Sequence, residues 1–341
     1  MNKFLKFFLL ITIPVLLASC QKDDAPEVTP LRDFAEQAKA DNDSLEKFFV
    51  ENYMTVDANY NVTFTKIPVG GTQTSIKAEL DINLKLNEIL ITEKGFEYKA
   101  FYIKLREGTQ KRPSQVDSVH VAYRGVTFKN VQFDVSQNPI WFKLEEVIPG
   151  WRDILPNFKT GTYSSTPGPN PVTYDGYGAG VMFLPSGLAY YAGSAGSIGP
   201  YTPIIFSFKL FELQYRDQDG DGIKSKDERP PSLDTSNSVY WSYNPFKYDS
   251  DSDGIPNMYD IDDDGDGFLT RTETLEYTDV ANNKKYYYKY DAPATVDNPA
   301  TPNINESRGI PARSTTLPYI YDYNSPLRVR KHLDNQWTPL N

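Results

Sequence analysis

Three runs between Val119 and Leu213 decide how this chain folds: Val119–Ser136 (VHVAYRGVTFKNVQFDVS), Phe142–Gly161 (FKLEEVIPGWRDILPNFKTG) and Phe183–Leu213 (FLPSGLAYYAGSAGSIGPYTPIIFSFKLFEL). The first and third alternate like strands, and the second carries a helix-like segment between them. Tyr123, Phe133, Trp151, Tyr190 and Phe206 are spread too widely for one helix or strand to gather them. They converge if a sheet wraps around the segment that opens at Trp151. The result would be a water-poor aromatic pocket with few polar groups, the usual form of a small-ligand or peptide site.

Taken in order, Tyr123-Arg124-Gly125, Phe133-Asp134, Val147-Ile148-Pro149-Gly150-Trp151, Leu188-Ala189-Tyr190 and Ile198-Gly199-Pro200 before Ile204-Ile205-Phe206 resemble the FKBP-type peptidyl-prolyl isomerases. The resemblance runs from about Phe96 to Leu213. It implies an α+β fold, an antiparallel sheet wrapped around a short helix. It also implies an activity on proline-containing protein or peptide segments that needs no cofactor. Within it, Trp151 would floor the pocket, and Tyr123, Phe133, Val147, Ile148 and Phe206 would wall it. Tyr190 would present its hydroxyl to the peptide carbonyl and Ile198 a backbone N–H. Asp134 would either sit near the rotating carbonyl or hold Tyr123. Three departures stand out. Ile140 occupies a position where the family often has an aromatic, Tyr191 follows Tyr190 where glycine is usual, and Gly193–Ser197 lacks large side chains.

The first residues, MNKFLKFFLLITIPVLLASC, place two lysines before an apolar run and then small residues. The run is too short for a spanning helix of about 20 residues and reads as a signal segment over 1–19. Leu17-Ala18-Ser19-Cys20 resembles the bacterial lipobox, which implies acylation of Cys20. As Cys20 is the single cysteine, the chain can form no internal disulfide. Gln21-Lys22-Asp23-Asp24 resembles a lipoprotein surface-export signal. The expectation is an outer-membrane lipoprotein held by its lipidated cysteine, on the surface or facing the periplasm.

The net charge is −10, and residues 217–273 hold fifteen Asp and Glu against five Lys and Arg. The excess is local, and no basic face marks a nucleic-acid binder. Three twelve-residue windows share one register. Asp217, Asp219, Asp221, Ser225 and Glu228 fill positions 1, 3, 5, 9 and 12 of the first; Asp249, Asp251, Asp253, Asn257 and Asp260 those of the second; Asp262, Asp264, Asp266, Thr270 and Glu273 those of the third. Glycine stands at position 6 of each, and the position-7 carbonyls belong to Ile223, Ile255 and Phe268. Calcium takes six to eight oxygen ligands, and such a loop supplies them. Windows two and three start thirteen residues apart, leaving no room for flanking helices. The segment therefore resembles thrombospondin type 3 repeats without their disulfides, and a structural calcium role is expected.

The expected organisation is a signal segment (1–19), a tether (20–30), a helical and strand region (31–94), the isomerase domain (95–215), the calcium loops (216–275) and a tail (276–341). Leu31–Ala40 reads as one helix, with a second restarting at Asn42 or Asp43 and ending near Asn52. Its stripe of Leu45, Phe48 and Phe49 should pack on the following sheet. The polar stretch 162–180 reads as a surface insertion. The basic run Arg328–His332 should dock on the acidic segment. Competing readings are a proline-peptide-binding chaperone without catalysis and a calcium-dependent scaffold with a vestigial pocket.

Overall fold

From Gly178 to Leu184 the chain reads GAGVMFL, without alternation, and every residue is buried. A strand of this kind is covered on both faces, and the molecule is layered about it. The computed structural model describes residues 30–82, 85–164, 172–228, 244–288, 310–311 and 330–336. The expected signal segment, Cys20, nearly all of the tether, and Arg328 and Val329 lie outside them. The chain begins with α1 (Phe34–Glu51), β1 (Asn52–Val56), β2 (Val62–Lys66) and α2 (Ile76–Ile82). Next come β3 (Leu86–Glu93), β4 (Phe96–Arg106), β5 (Ser118–Thr127), β6 (Gln132–Lys143) and α3 (Pro149–Ile154). Then follow β7 (Thr162–Ser164), β8 (Thr173–Asp175), β9 (Gly178–Leu184) and β10 (Ile204–Gln214). Short pieces close the described chain: α4 (Thr270–Glu273), β11 (Leu275–Asp279) and β12 (Lys284–Tyr287).

Six strands form one sheet in the order β3-β4-β9-β10-β5-β6, with every pair antiparallel. On one face Met182, Leu184, Phe206 and Phe208 bury Trp151, Ile154, Leu155 and Phe158. On the other, Val181, Phe183 and Ile205 meet Leu45, Phe48 and Phe49 of α1 and Val62 and Phe64 of β2. The Phe49 and Phe183 rings meet edge to face at 4.9 Å. Each such side chain contributes roughly 1.5–3 kcal/mol by leaving water. The helical stripe therefore packs on the sheet as expected. Gly150 lets α3 sit flush on β9, since a Cβ there would lie 2.4 Å from both Leu184 methyls.

Two boundaries differ from expectation. The N-terminal helix is continuous from Phe34 to Glu51, not a pair. No cap interrupts it at Asn42 because its neighbour Asp41 is buried and used for tertiary contact. Asp41 accepts hydrogen bonds from the Ser186 N–H and hydroxyl, both at 2.7 Å, and from Gln37 Nε2 at 2.7 Å. Secondly, β3 and β4 pair in full register across a turn at Lys94-Gly95, both with positive φ. The domain boundary expected at residue 94 falls at the tip of that hairpin, inside the sheet. The insertion forms a small β7–β8 hairpin, whose tip, 165–171, lies outside the described residues. Tyr174 and Tyr177 at its base pack on Phe211 at 4.5 and 4.7 Å.

Candidate functional site

The sheet's curvature brings together rings that lie far apart in sequence. Trp151, the third residue of α3, is met edge-on by Tyr123 of β5 (5.5 Å, 79°), Phe206 of β10 (5.1 Å, 72°) and Phe142 of β6 (5.8 Å, 80°). Phe133 stands against Phe206 at 5.4 Å and 85°. Edge-to-face pairs are the favoured arrangement, each contributing about 0.5–1.5 kcal/mol beyond burial. The cage therefore holds its own shape. Trp151 is 3% exposed, so it forms the base, while half-buried Tyr123, Phe133, Val147 and Ile148 surround it. Tyr190, 37% exposed, stands at the rim. Gly125 lies opposite Phe206 in the register and leaves room for Phe133.

Polar groups are few. The Tyr123 hydroxyl donates to Asp134 Oδ2 at 2.7 Å, and Asp134 Oδ1 accepts the Val135 N–H. Of the two roles expected for Asp134, this geometry supplies the second: it holds Tyr123. Burial first, then the Asp134 bond and charge, push the Tyr123 phenol well above its ordinary value. Burial, and then the Asp134 charge, also raise Tyr190. Its hydroxyl therefore stays protonated at neutral pH, and it donates to no group among the described residues.

The Ile198 N–H is not the donor expected of it, because it bonds to the Ala195 carbonyl at 2.9 Å in a tight bridge. Among the described residues the N–H of Ile148, just before α3, makes no hydrogen bond, and it replaces Ile198 as the candidate. The Ile198 side chain is buried in the core around Trp151. Phe142 is a wall that the sequence reading missed. The pairing of β5 with β6 slips between Val121/Ile140 and Tyr123/Ser136, around Asn138-Pro139. A slip resets which side chains face inward. Ile140, standing where the family often has an aromatic, then turns outward, and Phe142 supplies a ring edge-on to Trp151.

Tyr191 takes the left-handed backbone (φ 47°) that glycine usually supplies. It offsets that strain by packing on Phe34 at 5.1 Å and Tyr201 at 5.1 Å. Together with the Asp41–Ser186 bonds, this ties α1 to the loop that carries Tyr190. A separate cleft of about 550 Å³ touches only Tyr123 of the nine expected residues and is otherwise lined by groups such as Tyr60, Arg124, Gln132 and Lys209. Without the ring cage it does not fit a proline site.

The three acidic loops keep a common register. In each, the position-6 glycine N–H bonds to the position-1 carboxylate: Gly222 to Asp217, Gly254 to Asp249 and Gly267 to Asp262. Those glycines have φ of 105°, 100° and 92°. The carboxylates at positions 1, 3 and 5 offer oxygens within 4.8 Å of one another in all three loops. The position-9 residues behave differently from expectation. Ser225, Asn257 and Thr270 each accept the position-2 N–H, from Gln218, Ser250 and Asp263, at 3.2, 2.9 and 3.1 Å. They brace the loop and are not aimed at an ion.

At position 12, Glu273 is fully buried with both oxygens unpartnered, and burial followed by Asp264 and Asp266 pushes it up to about 9. Glu228 is likewise buried and pushed up to about 11 by burial and by Asp219 and Asp263. Asp260 instead accepts the Asp262 N–H, so the second loop lacks a comparable closing carboxylate. Buried oxygens with these neighbours suit a hard divalent cation. Lys331 of the tail is buried near Glu273, as the expected docking of the basic run requires.

Residues 109–211 match the family model for FKBP-type peptidyl-prolyl cis-trans isomerases, and the ring cage lies within that segment, whose sheet and short helix make an α+β fold. Residues 218–303 match a second family model, BamM C-terminal. The chain is similar to an FKBP-type peptidyl-prolyl cis-trans isomerase FkpA of Aeromonas hydrophila, 28% identical over 55% of this chain and 63% of that one. It is also similar to a probable FkpA of Neisseria meningitidis, at 30% over 40% of this chain and 44% of that one. A third relative is the outer membrane protein MIP of Legionella longbeachae, at 29% over 40% and 54%. The chain thus spans 44% to 63% of the length of these relatives.

Proposed function

We propose that this chain is a prolyl cis-trans isomerase acting on proline-containing segments of proteins outside the cytoplasm, with a calcium-stiffened acidic module after the catalytic domain. The observation that carries the reading is the cage of edge-on rings over Trp151, with the Tyr190 hydroxyl and the Ile148 N–H as donors near it. Rotation about a peptide bond meets a barrier of roughly 18–20 kcal/mol from resonance, and prolyl exchange takes tens to hundreds of seconds. The twisted amide has lost resonance and is less dipolar than either planar form. An apolar cage that strips water from the carbonyl binds the twisted form best. A ten-thousandfold acceleration asks for about 5.4 kcal/mol, within reach of shape, desolvation and one or two hydrogen bonds.

In this reading the prolyl ring rests over Trp151, and Ile148 and Tyr190 hold the amide's flanks. No nucleophile or metal is required. Exchange spectroscopy on an isotope-labelled proline peptide tests it. Cis–trans cross-peaks should appear with catalytic amounts of protein, and their absence would leave a binding role. Bound calcium would supply charge neutralisation to carboxylates that otherwise repel. The first and third loops fit it best, through Asp217, Asp219, Asp221 and Glu228, and through Asp262, Asp264, Asp266 and Glu273. The anchoring half of the proposal, acylation of Cys20 at an outer membrane, is supported by the lipobox-like sequence and by a relative named as an outer membrane protein. Labelled palmitate should enter the wild type and not Cys20→Ser.

A further inference from the structure

Asp263 is the second residue of the third loop and is 1% exposed, and neither carboxylate oxygen has a hydrogen-bond partner of good geometry, the Thr270 hydroxyl beside it already accepting the Asp263 N–H. Burying an unpaired carboxylate is among the costlier things a fold can do. The position-2 residues of the other loops are neutral and committed. Gln218 Nε2 donates to the Val116 carbonyl, and the Ser250 hydroxyl bonds with Asn257 and with the Asp263 carbonyl. In its own loop, positions 1, 3 and 5 supply the converging oxygens, and position 2 is not one of that set. Its strongest electrostatic neighbours are instead Asp221 and Asp219 of the first loop, and Glu228 in turn is acted on by Asp219, Asp263 and Asp221. The two loops are held together independently by Arg271, whose Nη1 donates to the Asp221 carbonyl at 3.2 Å.

We propose that Asp263 is a ligand of the first loop's cation, so that this site is assembled from two chain segments, 217–228 and 262–273. The inference rests on the calcium reading above and deepens it. The first loop alone offers Asp217, Asp219, Asp221, the Ile223 carbonyl and the Glu228 carboxylate. The place that position 9 commonly serves through water is given up, because Ser225 is turned to the Gln218 N–H. Asp263 supplies the missing oxygen. Five carboxylates on one ion make a highly charged calcium site, and charge count is one of the terms that set affinity. The physical consequence is order: the first loop cannot fill until the third has folded against it, although a stretch of chain separates them.

Calcium titration calorimetry of the full chain and three variants tests this. Glu228→Gln should remove or weaken one site, and Glu273→Gln another. Asp263→Asn should weaken the site lost in Glu228→Gln by about tenfold or more and leave the Glu273 site intact. The inference is overturned if Asp263→Asn leaves every site unchanged or weakens the Glu273 site instead. If the wild type binds no calcium, the underlying reading itself fails. If Glu228→Gln and Glu273→Gln lose sites while Asp263→Asn does not, only the cross-loop ligand fails.

Discussion

A methyl group added at Gly125 probes whether the ring cage is a working site. Built on the present backbone, a Cβ there lies 2.6 Å from Cε2 and Cζ of Phe133 and 2.8 Å from Cε1 of Phe206. To reach 3.4 Å, the near edge of ordinary contact, the Phe133 ring must retreat by about 0.8 Å. Interiors packed like crystals do not absorb such a shift freely, and overpacking costs typically about 1–3 kcal/mol. Gly125→Ala should therefore lower stability by that amount. It should also lower kcat/KM for a proline peptide about tenfold or more, because misplacement near 1 Å in a preorganised site is expensive.

Gly180→Ala is the control. Its Cβ would strike Phe158 at 2.6 Å and the Ile103 carbonyl at 2.8 Å. Among the ring contacts Phe158 meets Trp151 through Phe208 and not directly, so stability should fall with kcat/KM nearly unchanged. Urea unfolding and a protease-coupled prolyl assay on both variants decide the matter. Equal loss of stability with equal, undiminished activity in the two would refute the assignment of Phe133 and Phe206 as pocket walls.

Tyr190→Phe removes one neutral donor, so kcat should fall about threefold to tenfold in the same assay, with the unfolding midpoint unchanged. Asp41→Ala leaves the Ser186 N–H without its acceptor. Chemical denaturation should show a loss of about 1–3 kcal/mol, accompanied by altered Tyr190 environment in aromatic NMR spectra. Asp117, buried just before β5, has its carboxyl raised from 3.8 to about 6, chiefly by burial. The folded state therefore binds more protons there than the unfolded one. The protonated carboxyl's advantage is full below about pH 4 and is lost as pH rises through 6, a fall of up to about 3 kcal/mol. Asp117→Asn should flatten that part of the urea-midpoint profile. Chelation should lower the melting temperature, and calcium should restore it.

Much of the site was legible because its residues are few, bulky and fixed in order. Trp151, Tyr123, Phe133 and Phe206 meet as read, since rings of this size can be buried together in only a few ways. What was misread turns on local geometry that a residue pattern does not carry. The slip around Asn138-Pro139 turns Ile140 outward and brings in Phe142 as a wall that was not read, and a bridge to Ala195 occupied the Ile198 N–H and left Ile148 as the donor. The restart read at Asn42 or Asp43 does not occur because Asp41 is buried mid-helix against Ser186, a partner that lies far along the chain. In the acidic loops the spacing of positions 1, 3, 5 and 6 was plain. The inward pull of position 9 on the position-2 N–H was not, nor was the burial of Asp263 against another loop. Both depend on which neighbours the fold supplies.

The most direct test of the account is the rate of Xaa-Pro isomerisation in a short peptide, measured with the full chain, calcium-loaded and shown by circular dichroism to be folded. The account predicts a rate that rises in proportion to protein concentration and falls in Gly125→Ala. A rate that stays at the uncatalysed value at every concentration of folded wild type would contradict it.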